Sequence, residues 1–248
     1  MIDAHAHLLP EFVKNVDEQV QNARAAGLQA IINSAIEPQH YSFARELAQQ
    51  HRGFVYSTLG FSPSHIKTID FDLAYKTIQN DNSLVAIGEV GLDFHWIRDE
   101  FWQKKEQEVF LKFVDLANER QKPLVIHSRK AESECIDLLE KRAKVPVLMH
   151  CFTGTIDEVN RCLDAGWLVS VPTAVVNRKK HRKIARKVPL EALVVETDTP
   201  FLSPIKGESN QPANIRYAIQ EIAKLNGLSF DEVKKQTTMN AKGFYRIS

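Results

Sequence analysis

Two histidines, His5 and His7, stand one residue apart behind a four-residue start, Met1-Ile2-Asp3-Ala4. On an extended segment, residues i and i+2 point to one side, so two imidazoles at a strand end can grip one divalent ion. Four further ligand-type residues each close a short apolar run. They are Glu89 after Leu84-Val85-Ala86-Ile87-Gly88, His127 after Leu124-Val125-Ile126, His150 after Val147-Leu148-Met149, and Asp198 after Leu193-Val194-Val195-Glu196-Thr197. Any one of them alone would usually be a surface or hydrogen-bonded residue. Six in one repeated context point to a metal centre.

Four imidazoles and two carboxylates exceed the needs of one ion. Two ions about 3.5–4 Å apart, bridged by a carboxylate, would use all six. Glu89 is the expected bridge, with His5, His7 and Asp198 completing one site and His127 and His150 the other. Water held between such ions loses a proton easily and becomes a nucleophile. Asp198 is positioned to take that proton or orient the hydroxide. Four imidazoles favour Zn²⁺ or Mn²⁺ over Mg²⁺, which prefers oxygen ligands.

Such a centre needs elements that bring distant residues together. Strand-like runs are expected near 2–5, 29–34, 54–60, 84–88, 123–127, 146–150, 167–171 and 193–197. They are rich in Val, Ile and Leu without clear polar alternation, which suits a parallel sheet covered by helices. Helical patterns lie between them at 16–26, 39–50, 71–80, 100–121, 131–142, 156–165 and 178–187, several ending at Gly or before Pro. A loop at 199–211 and helices near 212–226 and 229–246 follow, with Ser229 as a candidate N-cap. Eight βα units over residues 1–248 read as a single-domain α/β fold, a (β/α)8 TIM barrel. The rival, an open doubly wound sheet, usually carries a Gly-rich phosphate turn after its first strand; here that turn is His5-Ala6-His7-Leu8-Leu9-Pro10. In barrels the active site lies at the C-terminal ends of the strands, where all six candidates fall.

The chain has 248 residues, a net charge of +1 and 44% hydrophobic residues, a balance that exerts no global pull toward nucleic acid. No apolar run approaches the roughly 20 residues of a membrane span, and no signal-peptide pattern is visible. Three cysteines, Cys135, Cys151 and Cys162, suggest reduced thiols and a cytoplasmic setting.

Five segments together resemble the motifs of TatD-type metal-dependent hydrolases. These are Asp3-Ala4-His5-Ala6-His7, Ile87-Gly88-Glu89-Val90-Gly91-Leu92-Asp93, Pro123-Leu124-Val125-Ile126-His127-Ser128-Arg129, His150-Cys151-Phe152-Thr153-Gly154, and Glu196-Thr197-Asp198-Thr199-Pro200. The run Thr238-Met239-Asn240-Ala241-Lys242-Gly243-Phe244 resembles that family's closing helix. The resemblance implies a TIM barrel of the metallo-dependent hydrolase type, two divalent ions, and phosphodiester hydrolysis of DNA, single-stranded or from 3′ ends. It assigns metal roles to His5, His7, Glu89, His127, His150 and Asp198. It places Arg129 for phosphate contact, with a structural ion pair as the rival role, and Asp93 beside a ligand histidine.

Two departures concern the substrate side. The family's Gly-x-His-Pro is Gly60-Phe61-Ser62-Pro63 here, so Ser62 replaces a histidine whose contact is lost or supplied by His65. The acidic residue common after the first His-x-His is missing. Of the remaining histidines, His40, His51 and His181 read as solvated or capping, and His95 could approach the pocket. Residues 178–187 hold seven Lys or Arg, either a backbone-binding strip or a solvated helix face. Phe61, Phe94, Trp96, Phe152 and Phe201 are candidates for base stacking. Two alternatives stay open: amidohydrolase-like cleavage of a small ester, amide or lactone, and a metal-bound scaffold without turnover.

Overall fold

A computed structural model describes residues 1–248. Eight strands form one parallel sheet in chain order: β1 Ile2–Ala6, β2 Ala30–Ala35, β3 Val55–Leu59, β4 Ala86–Asp93, β5 Leu124–Arg129, β6 Val147–Met149, β7 Leu168–Pro172 and β8 Leu193–Glu196. Helices α1 Val16–Ala25, α2 Pro38–Gln50, α3 Phe71–Gln79, α4 Glu100–Arg120, α5 Glu132–Arg142, α6 Ile156–Asp164 and α7 Lys179–Lys187 alternate with them. Two more, α8 Ile215–Asn226 and α9 Phe230–Tyr245, follow the last strand. The sheet rolls into a (β/α)8 barrel. Its seam is sealed beyond β8, where the Asp198 amide donates to the His5 carbonyl at 2.9 Å and the His7 amide to the Thr199 carbonyl at 2.8 Å. Three of those four residues are candidate ligands, so the contacts that close the barrel also place part of the site.

The interior is packed rather than hollow. Ile2, Ala4, Ala30, Ile32, Ala86, Val125, Leu148 and Val194 fill it, and Ala241, Phe244 and Tyr245 of α9 plug one end. The Tyr245 hydroxyl donates to the Ala4 carbonyl at 2.8 Å. A larger apolar layer between strands and helices includes Leu59, Phe61, Phe110, Phe113, Ile126 and Phe152. Each such fully buried side chain contributes about 1.5–3 kcal/mol over its exposed state. Ser229 and Glu232 start α9 with a reciprocal capping box, which satisfies two otherwise unpaired amides.

Two irregularities decide where ligands point. In β1, Asp3 pairs with Ile31 but Ala6 with Asn33, so β1 carries one extra residue. In β4, Gly88 pairs with Val125 and Val90 with Ile126, so Glu89 is the extra residue. A bulge of this kind reverses which residues face inward. Ile2 and Ala4 point into the barrel and Ala6 outward, which turns His5 and His7 to the axis. Ala86 faces inward and Val90 outward, which does the same for Glu89. The strand containing Glu89 was expected to end at 88; it runs on to Asp93. No helix is long and apolar enough to cross a membrane.

Candidate metal centre

His5 and His7 leave β1 at the C-terminal mouth of the barrel. Glu89 stands in β4, His127 in β5, His150 directly after β6 and Asp198 two residues after β8. All six side chains meet at the floor of a cavity of about 630 Å³, with His7, Glu89, His127, His150 and Asp198 among its lining residues. Close strand approach makes this meeting possible. A Cβ on Gly60 would lie 2.1 Å from the Glu89 carbonyl oxygen, and one on Gly91 would lie 1.9 Å from that of His127.

The donor atoms of His5 and His7 lie close to those of both carboxylates. His5 Nε2 lies 3.3 Å from His7 Nε2, 3.0 Å from Glu89 Oε2 and 4.0 Å from Asp198 Oδ1. His7 Nε2 lies 3.5 Å from Asp198 Oδ1 and 3.9 Å from Glu89 Oε2. Legs of about 2.1 Å to a central ion would give a tetrahedron edges of about 3.4 Å, so these spacings fit ligation. Glu89 Oε2 is fully buried and makes no well-aligned hydrogen bond, although His5 Nε2 stands 3.0 Å away, an arrangement suited to a cation shared between the two. His150 Nε2 faces the same oxygen at 3.4 Å, while His127 Nδ1 faces Oε1 at 3.4 Å. The expected pairing of His127 with His150 is thus only partly visible. The compact donor groups are His5–Glu89–His150 and His5–His7–Asp198, and His127 approaches from the far oxygen. His5 and His150 also stack, with ring centres 3.8 Å apart.

The outward nitrogens of three rings are held by oxygen acceptors. His7 Nδ1 donates to the Ser34 carbonyl at 2.9 Å, His127 Nε2 to Asp93 Oδ2 at 3.0 Å, and His150 Nδ1 to Glu196 Oε2 at 3.0 Å. Each arrangement turns the other nitrogen's lone pair into the site. Asp93 is itself fixed by the amides of His95 and Trp96, both at 3.1 Å on Oδ1. Glu196, wholly buried, lies in one of the quoted motifs, yet its partner is 46 residues away and no spacing rule reveals it.

Burial opposes charge on His127, but the carboxylates of Asp93 and Glu89 outweigh it and lift its pKa to about 10. His150 rises to about 9 against the same opposition through Glu196 and then Glu89. For His5, burial and the neighbouring His150 dominate and push the pKa down. Burial works against ionised Glu89, yet His127 and His5 hold its pKa well below the usual range. Asp198 is likewise held low by His7 and His150 against burial. Its backbone is left-handed, φ 57°, a conformation uncommon outside Gly, Asn and Asp that marks many functional positions.

The walls differ from expectation in several places. Arg129 lines the cavity but has no carboxylate partner; its guanidinium sits 5.5 Å over the Trp96 ring. His65 does not line it. The short turn Pro63–His65 carries the ring outward, where Nδ1 lies 2.8 Å from Glu37 Oε1. Ser62 and Ser64 occupy that wall instead, their hydroxyls 3.0 Å apart. His95 packs on Trp96 and is also outside the lining. His181, read as solvated or capping, is 2% exposed and lines the cavity. His40, also buried, pairs with Glu11 at 2.8 Å. Trp96 and Phe201 are open to the cavity at 63% and 48% exposure, whereas Phe61 and Phe152 are core residues. All three cysteines are free, and Cys135 and Cys162 are buried.

Comparison with known proteins places this geometry. A family model described as TatD related DNase matches residues 2–246. An uncharacterized metal-dependent hydrolase of Methanocaldococcus jannaschii is 35% identical over 99% of this chain and 96% of its own length. Deoxyribonuclease TATDN3 of Homo sapiens is 32% identical over 97% of this chain and 93% of its own length. The crystal structure of YjjV, a TatD homolog from Escherichia coli, superposes with a TM-score of 0.89 at 23% identity, over 100% of this chain and 98% of that one.

Proposed function

The chain belongs to the TatD-related DNase family of metal-dependent hydrolases. From that premise we propose that it cleaves phosphodiester bonds of DNA from 3′ ends, using two divalent ions held by His5, His7, Glu89, His127, His150 and Asp198. One observation carries the reading. Glu89 Oε2 is buried without a well-aligned hydrogen bond among three inward imidazole nitrogens, while Oε1 faces a fourth. A carboxylate whose two oxygens face separate donors is suited to bridging. The imidazole-rich set favours Zn²⁺ or Mn²⁺ over Mg²⁺.

Ions bound there would acidify a bound water and draw charge from a phosphoryl oxygen. The protein's own part is positioning and proton handling. Asp198 stays ionised at neutral pH and faces the cavity, so it is the proton acceptor. Asp93 and Glu196 hold the His127 and His150 rings in the ligating orientation. Arg129, free of any carboxylate and braced on Trp96, can fork onto phosphate oxygens. Trp96, 63% exposed with Arg129 on one side, and Phe201, 48% exposed, present ring surface for bases. The named deoxyribonuclease among the relatives favours DNA over a small ester.

The test is to strip the chain with a chelator, restore Zn²⁺, Mn²⁺ or Mg²⁺, and assay single-stranded DNA, bis-nitrophenyl phosphate and a carboxyl ester side by side. Metal-restored release of 3′ nucleotides is expected. Turnover of the carboxyl ester alone would replace the reading with an amidohydrolase-like one.

A further inference from the structure

The start of α7 builds another part of the cavity wall. Arg178, just ahead of the helix, and His181 both line the cavity. His181 is only 2% exposed, yet neither ring nitrogen meets a protein partner, and Nδ1 is completely enclosed. Burial first, and then the nearby Arg178 charge, lower its pKa to about 4. The ring is therefore a neutral donor and acceptor at physiological pH. Arg178 is exposed and forms no ion pair, unlike Arg182, which is tied to Glu221 at 3.0 Å. The helix start has no side-chain cap, and the amides of Lys179, Lys180 and His181 make no backbone hydrogen bond outside the helix. Helix starts with free amides attract anions.

A buried imidazole without a partner is costly; Nδ1 is sealed from the cavity, so Nε2, which is not enclosed, is the nitrogen that would meet a ligand. A free guanidinium and open amides on the same turn give that ligand its charge. The cavity, at about 630 Å³, is of the size that holds drug-sized ligands, not a lone phosphoryl group. We propose that the first turn of α7 is a second phosphate subsite, in which Arg178 and His181 take the phosphate next to the scissile one in a single DNA strand. This rests on the phosphodiesterase reading and adds to it a requirement for at least two consecutive phosphates. Arg178 and His181 act here as positioning residues.

The experiment couples a change in the protein to a change in the DNA. An oligonucleotide is made with its penultimate 3′ linkage as a neutral methylphosphonate, leaving the terminal, scissile linkage intact. With the metal-loaded parent chain, that neutralisation is expected to lower kcat/KM about tenfold through KM, the loss of one charge-assisted contact. Arg178→Ala is expected to lower it similarly on ordinary DNA and to be insensitive to the methylphosphonate. The slope of log affinity against log salt should flatten by about 0.7, one phosphate contact on a single strand. His181→Asn should shift KM in the same direction. Should that variant misfold, Arg178→Ala, at an exposed position, still decides. An Arg178→Ala chain as sensitive to the methylphosphonate as the parent would overturn the subsite and leave the phosphodiesterase reading standing. A parent chain that cleaves no strand would refute that reading. The subsite is then decided by anisotropy on the uncut strand, where the same coupled loss supports it and its absence overturns it.

Discussion

Replacing Glu196 with Gln removes one charge and almost no volume from a fully buried position. The only hydrogen bond to the carboxylate side chain comes from His150 Nδ1, at 3.0 Å on Oε2. That contact fixes which His150 nitrogen faces Glu89. A hydrogen bond to a charged group contributes about 1.5–3 kcal/mol and a neutral one about 1 kcal/mol, so the exchange costs the ligating state about 0.5–2 kcal/mol. At about 1.4 kcal/mol per decade, metal affinity should fall about 2–30-fold, overlapping the 10–100-fold range of such supporting groups. The assay is a competition titration of Zn²⁺ against a chromophoric chelator, with circular dichroism and the unfolding midpoint as controls for folding. Lost affinity in a folded protein is expected. Affinity within twofold of the parent would refute the claim that Glu196 orients a ligand.

Other perturbations probe different links in the account. Asp198→Asn should cut turnover at least about 100-fold, the lower end for a general base, with the unfolding midpoint kept; a near-normal rate removes Asp198 from proton transfer. Gly60→Ala would set a Cβ 2.1 Å from the Glu89 carbonyl oxygen. It should cost about 1–3 kcal/mol of stability and reduce bound metal, whereas Gly243→Ala in α9, with open space around it, should stabilise by about 0.5–1 kcal/mol. The histidine pKa values of about 10 and 9 for His127 and His150 lie above the unfolded value of about 6.5. Their stabilising contribution to the metal-stripped protein is therefore full below pH ~6.5 and lost as pH rises through ~9–10. The stripped protein's unfolding midpoint should fall over that window, and metal uptake at pH 7 should release protons in calorimetry. A midpoint that rises with pH contradicts the assigned ion pairs.

Much of the barrel is legible in the chain because apolar runs and Gly or Pro stops recur at a regular spacing. The helix before Gly27 and the one before Gly166 end within a residue or two of the expected places. The bulges at Asp3/Ala6 and at Glu89 are not legible, since an extra residue shows only against the partner strand. Glu89 therefore looked like a strand end, when Gly88 merely weakens the strand pattern there. The six ligand-type residues could be picked out from their repeated position, but the oxygens orienting them could not. Ser34 and Glu196 act across 27 and 46 residues of chain. His65 was misleading because position after a strand does not fix the direction of a short turn. His181 was hidden by its basic neighbours, although Ile184 and Ala185 on the same helix mark a buried face.

The central claim is that Glu89 bridges two ions at the mouth of the barrel. Anomalous diffraction from crystals of the Mn²⁺- or Zn²⁺-loaded protein tests it directly. The account predicts two peaks about 3.5–4 Å apart, one beside each Glu89 oxygen, with His5, His7 and Asp198 around one and His127 at the other. A single peak, or a pair that Glu89 does not touch, would contradict it.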